Sequence, residues 1–146
     1  MPPALVVDGD ALALAAALSH AALPIEHWRQ PSGARIYFVA TDALPMLDVQ
    51  IDFDAGGRRD PAHQAGLASV TAGMLSKGVA ARGAEAALDE NQLGEAWADL
   101  GASFSAGAGS DRMSFSLRSL SYPDLLPQAA ALAARKCLKK KKRATP

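Results

Sequence analysis

The sequence predicts an α+β domain in which an antiparallel-rich sheet is covered on one face by helices, in the order β-β-α-α-β-β-α. Two segments alternate apolar and polar residues, which is typical of strands with one exposed face. Three other segments combine helical spacing with capping residues. The 146 residues suffice for one domain with a modest core.

The first two strands flank Pro45. Arg35–Val39 is rich in β-forming residues and follows the turn signal Ser32-Gly33. Leu47–Asp54 alternates strictly, and its apolar side chains are predicted to face the core. These apolar residues are Leu47, Val49, Ile51 and Phe53, and the polar ones are Asp48, Gln50, Asp52 and Asp54.

Two helices are predicted next. Asp60 is a suitable N-cap and Pro61 an early helical residue for a helix that runs to about Ser76. The second helix runs from about Asp89 to Leu100, where Asp89 and Gln92 form the pattern of a capping box. The apolar residues at helical spacing are Leu67, Val70, Met74 and Leu75 in the first helix and Leu93, Trp97 and Leu100 in the second.

A second strand pair and a final helix complete the pattern. Ala102–Ala106 and Arg112–Arg118 are predicted strands joined by a glycine turn, and Ser121 with Asp124 indicates a helix start. The bulk of the core is expected from Leu67, Val70, Met74, Leu93, Trp97, Phe104, Phe115 and Leu126.

Charge divides the chain at Ala134. Residues 1–134 hold all 15 acidic residues but 8 of the 15 basic ones, and residues 135–146 hold only basic ones. We interpret residues 135–146 as a basic tail. It is either an ordinary solvated tail, a patch that binds a polyanion, or the product of a reading-frame slip or premature truncation. An acidic body argues against a nucleic-acid-binding fold. The single cysteine, Cys137, excludes an internal disulfide framework and a cysteine-based zinc cluster.

Residues 1–23 are interpreted as either a signal peptide or a disordered leader. The apolar run Ala11–Ala22 is too short to span a bilayer, but it has the length of a signal-peptide core. The preceding segment carries Asp8 and Asp10 and lacks Lys and Arg, so a short helix or a misplaced start codon remains an alternative. Export to the periplasm and a cytoplasmic location both stay open.

Few residues outside these elements suggest chemistry. His63 has no second histidine one helical turn away, and His20 and His27 flank a leading segment that we expect to be unstructured. Gly56-Gly57 is better explained by a turn than by a dinucleotide loop. The row Asp48, Gln50, Asp52 and Asp54 is interpreted as a solvated strand face rather than a metal site.

Pro24–Ala134 resembles the first domain of the insulinase/pitrilysin metallopeptidases, the inverted zincins. The similarity lies in VQIDFDAGGRRDPAHQAGLASVTAGMLSKGV, in LGEAWADLGASFSAGAGSDRMSFSLRSLS and in the helix that follows. The best-matching words are Gly66-Leu67-Ala68, Met74-Leu75, Lys77-Gly78 and Gly101–Ala106. The resemblance implies a partial peptidase domain over residues 24–134.

The resemblance also implies that the catalytic motif H-x-x-E-H is missing. The first zinc histidine of the family falls on Ser69, the catalytic glutamate on Ala72 and the second histidine on Gly73. None of these residues supplies the imidazole or carboxylate that zinc catalysis requires. Glu95 is the last glutamate in the chain, so a downstream third ligand is also missing. We therefore expect no catalytic residues, metal or cofactor.

Zinc-less members of the family act as inactive partner subunits, so the resemblance implies a non-catalytic, truncated partner of a zinc-bearing peptidase subunit. Peptide substrate would then bind only in the complex, and self-association would be the alternative association. We expect no nucleic acid and no membrane span. Two other functions stay open: a metal-dependent endopeptidase with an unrecognised site, and a truncated product without independent activity.

Overall fold

A computed structural model describes residues 24–137 and divides the chain into two compact units, Met1–Ala43 and Leu44–Pro146. The described part of the first unit is an antiparallel hairpin of strands β1 (Ile25–Arg29) and β2 (Arg35–Val39). Strand β1 was not predicted, and the expectation of an unstructured segment at His27 was wrong. Backbone pairing with β2 stabilises β1 although its own residues do not alternate.

A three-stranded antiparallel sheet organises the second unit, in the order β3-β7-β6. The strands are β3 (Met46–Phe53), β6 (Ser103–Ala108) and β7 (Met113–Leu120). Phe53 pairs with Met113 and Ile51 with Phe115, so the strand predicted from the alternation is confirmed. Leu47 and Val49 are partly buried as predicted, but Ile51 and Phe53 are exposed, so the prediction that they face the core was wrong. One sheet face carries most of the apolar side chains together with the buried Ser119, and the other carries Asp48, Gln50, Ser105 and Ser116.

Helices and a small hairpin accompany this sheet. The helices are α1 (Leu67–Met74), α2 (Glu90–Asp99) and α3 (Leu126–Cys137), and β4 (Gly78–Val79) pairs with β5 (Leu88–Asp89). The predicted capping box is confirmed: Gln92 N donates to Asp89 Oδ1 at 2.9 Å, and Asp89 N donates to Gln92 Oε1 at 3.0 Å. The predicted α+β fold class is confirmed.

Helices α1 and α3 begin later than predicted. Short 3-10 turns at Gly57–Arg59 and Ala62–Gln64 precede α1, and Gly66 adopts a left-handed conformation with φ +91° directly before the helix. A right-handed helix cannot run through such a residue, so α1 starts at Leu67. Before α3, the carbonyl of Tyr122 accepts from the N–H groups of Leu125 and Leu126 in a turn.

The core lies between α2, α3 and the apolar sheet face. Leu93, Trp97, Ala129 and Ala133 are buried together. Phe104 and Leu117 of the sheet pack against them. Leu67, Val70 and Met74, which were expected in the core, are instead 45%, 64% and 60% exposed. Helix α1 buries the small residues Ala68 and Ala72 on its other side, so the prediction of its core face was wrong.

Helix α3 continues past the boundary predicted at Ala134 and reaches Cys137, the last residue that the structure describes. Arg135 and Lys136, assigned to the basic tail, therefore belong to a helix of the folded unit. The predicted leader 1–23 and residues 138–146 lie outside the described part of the chain. Within residues 24–137, no helix is long and apolar enough to cross a bilayer.

Candidate functional site

Helix α1 carries all three positions at which the family resemblance places the H-x-x-E-H residues. Ser69 and Gly73 are exposed and Ala72 is buried. Their side chains are a hydroxymethyl group, a hydrogen and a methyl group, so α1 presents neither an imidazole nor a carboxylate at these positions. A Cβ atom on Gly73 would meet no other atom within 4 Å, so the helix surface there is open.

Asp60 fixes the start of α1 from outside the helix. Its carboxylate accepts hydrogen bonds from Gly66 N at 2.9 Å and from Ala68 N at 3.1 Å. These bonds satisfy N–H groups that a helix leaves unpaired at its N-terminus. Asp60 was predicted as the N-cap of a helix starting at Pro61. It has a capping role, but for a helix that begins seven residues after it.

An open groove of about 630 Å³ runs along the start of α1. Ser69 and Asp60 line it from one side, and the turn between β6 and β7 lines it through Ala108, Gly109 and Ser110. Among the described residues that line the groove, Arg58 is the cationic one, and it pairs with Asp54 at 2.6 Å and with Asp111 at 3.5 Å. The charge of Arg58 is thus balanced by carboxylates of its own surroundings.

Gly56 and Gly57 bring this loop against the β6–β7 turn. Gly57 N donates to Gly109 O at 2.9 Å, and Arg58 N donates to Ser110 O at 3.0 Å. A Cβ on Gly56 would overlap the carbonyl oxygen of Ser110 and lie 2.5 Å from Arg112 N. The two glycines form a turn that allows this close backbone approach, as the sequence predicted.

The carboxylates of the acidic row on β3 form hydrogen bonds with neighbouring side chains. Asp48 Oδ1 accepts from Arg118 Nε at 2.6 Å, and Asp52 Oδ1 accepts from the Ser114 hydroxyl at 2.6 Å. The hydrogen bond from Arg118 lowers the pKa of Asp48, and the bond from Ser114 lowers the pKa of Asp52. These are pairs on a solvated face.

Asp54, the last of the predicted row, lies just after β3 and accepts from both Arg59 and Arg58. The hydrogen bonds from Arg59 and then Arg58 lower the pKa of its carboxyl to about 2. Across residues 24–137, no three His, Cys, Asp or Glu side chains come together in a group that could hold a metal ion.

Two of the three histidines lie among the described residues. His63 is exposed in the 3-10 turn Ala62–Gln64, and His27 in β1 stacks on Tyr37 with ring centroids 6.3 Å apart. His20 lies outside the described residues.

Two basic residues that the sequence interpretation assigned to the tail make specific contacts. The Arg135 side chain is 9% exposed, donates to Ala80 O at 3.0 Å and to Ala86 O, and lies 3.4 Å from Glu85. Lys136 Nζ lies 4.6 Å from the ring centre of Phe104 and 5.8 Å from that of Trp97. Arg135 and Lys136 continue the helical spacing of Ala129 and Leu132, and this spacing could have placed them on the packed face of the helix.

The chain is similar to solved protein structures. One is the crystal structure of a peptidase M16 inactive domain from Pseudomonas fluorescens, which is 34% identical with a TM-score of 0.70. The match covers 84% of this chain and 28% of that one, so this chain spans less than a third of that relative's length. No protein-family model and no curated protein matches the chain.

This similarity agrees with the resemblance found in the sequence. The α+β architecture is similar to that of the M16 inactive domain, and the match supports the M16, or insulinase-type, family. It equally supports a non-catalytic, insulinase-like homologue.

Proposed function

We propose that this chain is a zinc-less homologue of the M16 peptidases that acts as the non-catalytic partner of a zinc-bearing subunit. The observation that carries the proposal is the residue set on α1, where the family resemblance aligns Ser69, Ala72 and Gly73 with the zinc and catalytic positions. A similar solved domain that is itself described as inactive supports the same function.

The burial of Ala72 adds a physical reason. A glutamate that activates zinc-bound water has to reach a solvent-accessible metal site. The Ala72 side chain instead packs on the inner side of α1, where a carboxylate would lose its hydration without a charged partner. The chain is thus built for packing at this position rather than for catalysis.

In this function the chain would bind a zinc-bearing subunit of the same family, and peptide substrate would bind only in the complex. The length of the relative supports truncation, because the match spans only 28% of that chain. We also propose export to the periplasm on the basis of the apolar run Ala11–Ala22.

The decisive experiment compares the chain alone with the chain mixed with a zinc-bearing M16 subunit. Alone, it should contain far less than one zinc per chain and cleave no peptide. Mixed, it should co-elute with the active subunit and increase peptide cleavage. In the control, the zinc histidines of the partner subunit are replaced. Mixing this inactivated subunit with the chain should give no peptide cleavage.

Three results would contradict the proposal. One is about one zinc per purified chain that is lost in the variant His63→Ala, and another is peptide cleavage by the chain alone. The third is a failure to co-elute with, or to increase cleavage by, every zinc-bearing M16 subunit encoded beside it.

Translation of the neighbouring DNA tests truncation, because a truncated chain should be followed by a reading frame that continues the peptidase-like sequence. Cell fractionation with N-terminal sequencing tests export.

A further inference from the structure

The apolar face of the sheet is covered at one end and open at the other. A row of aromatic rings crosses it: Trp97 stacks on Phe104 at 5.9 Å, Phe104 lies 6.2 Å from Phe115, and Phe115 meets Phe53 edge-on at 5.6 Å. Trp97 of α2 is buried among residues of α3 and the sheet, whereas Phe53 is 52% and Ile51 47% exposed. We call Ile51, Phe53 and Phe115 the open sheet end.

Helix α1 displays a second apolar surface. Leu67, Val70 and Met74 lie at i, i+3 and i+7, so they share one side of the helix, which we call the α1 stripe. All three are exposed, and residues 61–76 contain no Asp, Glu, Lys or Arg. An uncharged helix with an exposed apolar stripe favours burial against another apolar surface.

Both surfaces lie at the same end of the second unit. Phe53 pairs with Met113, and Met113 pairs with Ala108 at the end of β6. Ala108 lines the same groove as Ser69 of α1. A second copy of the chain can therefore meet both surfaces with one contact region.

We propose that two copies of this chain associate by exchange, with the α1 stripe of each copy packed on the open sheet end of the other. Each copy offers an apolar helix and an apolar sheet face, which is the combination that α2, α3 and the sheet already bury within one copy. The contact continues that interface along the aromatic row. Reciprocal burial of both surfaces gives a closed two-fold dimer.

The area of the two surfaces and the lack of charge on α1 are consistent with association of two copies. The half-exposed side chains of both surfaces offer on the order of 500 Å² per copy, or about 1,000 Å² in total, which is the size of a weak, concentration-dependent interface. No like charges on α1 oppose the approach of a second copy. The inference does not rest on the proposed peptidase-partner function.

The test measures the mass of the full chain by light scattering during size-exclusion chromatography over a wide concentration range. The unmodified chain should become dimeric as its concentration rises. Val70→Asp should raise the dimer dissociation constant about tenfold or more, because the dimer would bury an unpaired carboxylate. Ser105→Asp adds the same charge on the polar sheet face and should leave the dissociation constant unchanged.

Cross-linking identifies the contacting surfaces. In a Cys137→Ser background, Val70→Cys and Phe53→Cys proteins with different tags are mixed with a short bismaleimide. A cross-linked pair of the two tags is expected, and Ser105→Cys in place of Phe53→Cys should give none. A chain that stays monomeric overturns the proposal. So does association that is unaffected by Val70→Asp, or a dimer without the expected cross-link.

Discussion

The ammonium group of Lys136 lies 4.6 Å from the ring centre of Phe104, in the middle of the core's aromatic row. At this distance the cation is attracted to the face of the aromatic ring. Desolvation lowers the pKa of Lys136, which is consistent with a lysine that packs rather than projects into water. The folded unit thus includes part of the basic segment.

Two truncations should therefore behave differently. A chain that ends after Ala134 loses Arg135 and Lys136 together with the last turn of α3, and its melting temperature should fall by several degrees. A chain that ends after Cys137 keeps these contacts and should melt within about one degree of the full chain. Thermal unfolding followed by circular dichroism measures both. Equal melting temperatures would show that the contacts of Arg135 and Lys136 do not stabilise the unit.

Arg135 should be the more important of the two residues. Arg135→Ala removes its bonds to the carbonyls of Ala80 and Ala86 and leaves those groups to find other donors. We expect a loss of about 2–3 kcal/mol in the free energy of unfolding, the range for charged hydrogen bonds at a buried site. The control is Arg112→Ala, an exposed arginine whose loss should cost less than about 1 kcal/mol. Urea unfolding measures both, and equal effects would contradict this assignment.

Local patterns in the sequence predicted local structure correctly. The alternation in β3 and the Asp89–Gln92 capping box depend on residues that are neighbours in the chain, and both are confirmed. Strand β1 depends on backbone pairing with β2, and its own residues show no alternation. The sequence therefore offered no local signal for it.

The sequence could not tell which side of α1 packs. Leu67, Val70 and Met74 form the more hydrophobic side, yet Ala68 and Ala72 are the buried residues. Helical periodicity identifies the faces of a helix, but it does not tell which face meets a neighbouring element such as β6, which contacts α1. Similarly, charge alone placed Arg135 in the tail, although its position on α3 brings it to the carbonyls of Ala80 and Ala86.

Asp60 should control the stability of α1. Asp60→Ala leaves the N–H groups of Gly66 and Ala68 without their acceptor and should cost about 1–2 kcal/mol. Asp60→Asn keeps one acceptor oxygen and should recover part of that loss. Hydrogen exchange at residues 68–74 should speed up in Asp60→Ala, while exchange in α2 should change little. Unchanged exchange in α1 would contradict the capping role.

Asp54 should make the unit sensitive to acid in a defined range. Its pKa in the folded chain is about 2, below its ordinary value of 3.8, so the folded state favours the ionised form. This contribution is fully present above about pH 4 and is lost as the pH falls towards 2. Carboxyl-carbon NMR should find a titration midpoint near 2, and Arg59→Gln should raise it towards 3.8. A midpoint near 3.8 in the unmodified chain would contradict the pairing.

Gly56 and Gly94 give a matched pair of glycine substitutions with opposite expected effects. Gly56→Ala places a methyl group 2.5 Å from Arg112 N and against the Ser110 carbonyl, both of which are backbone groups held by the β6–β7 turn. The turn has to move, and we expect a loss of about 1–3 kcal/mol in the free energy of unfolding.

Gly94 lies within α2, where a Cβ meets no atom within 4 Å. Gly94→Ala should therefore stabilise the chain by about 0.5–1 kcal/mol, because alanine has the higher helix propensity. Urea unfolding of both variants separates steric overlap from backbone entropy. If Gly56→Ala were as stable as the unmodified chain, the contact between the Gly56-Gly57 turn and the β6–β7 turn would not exist in solution. The groove beside α1, which that contact closes on one side, would then have a different shape.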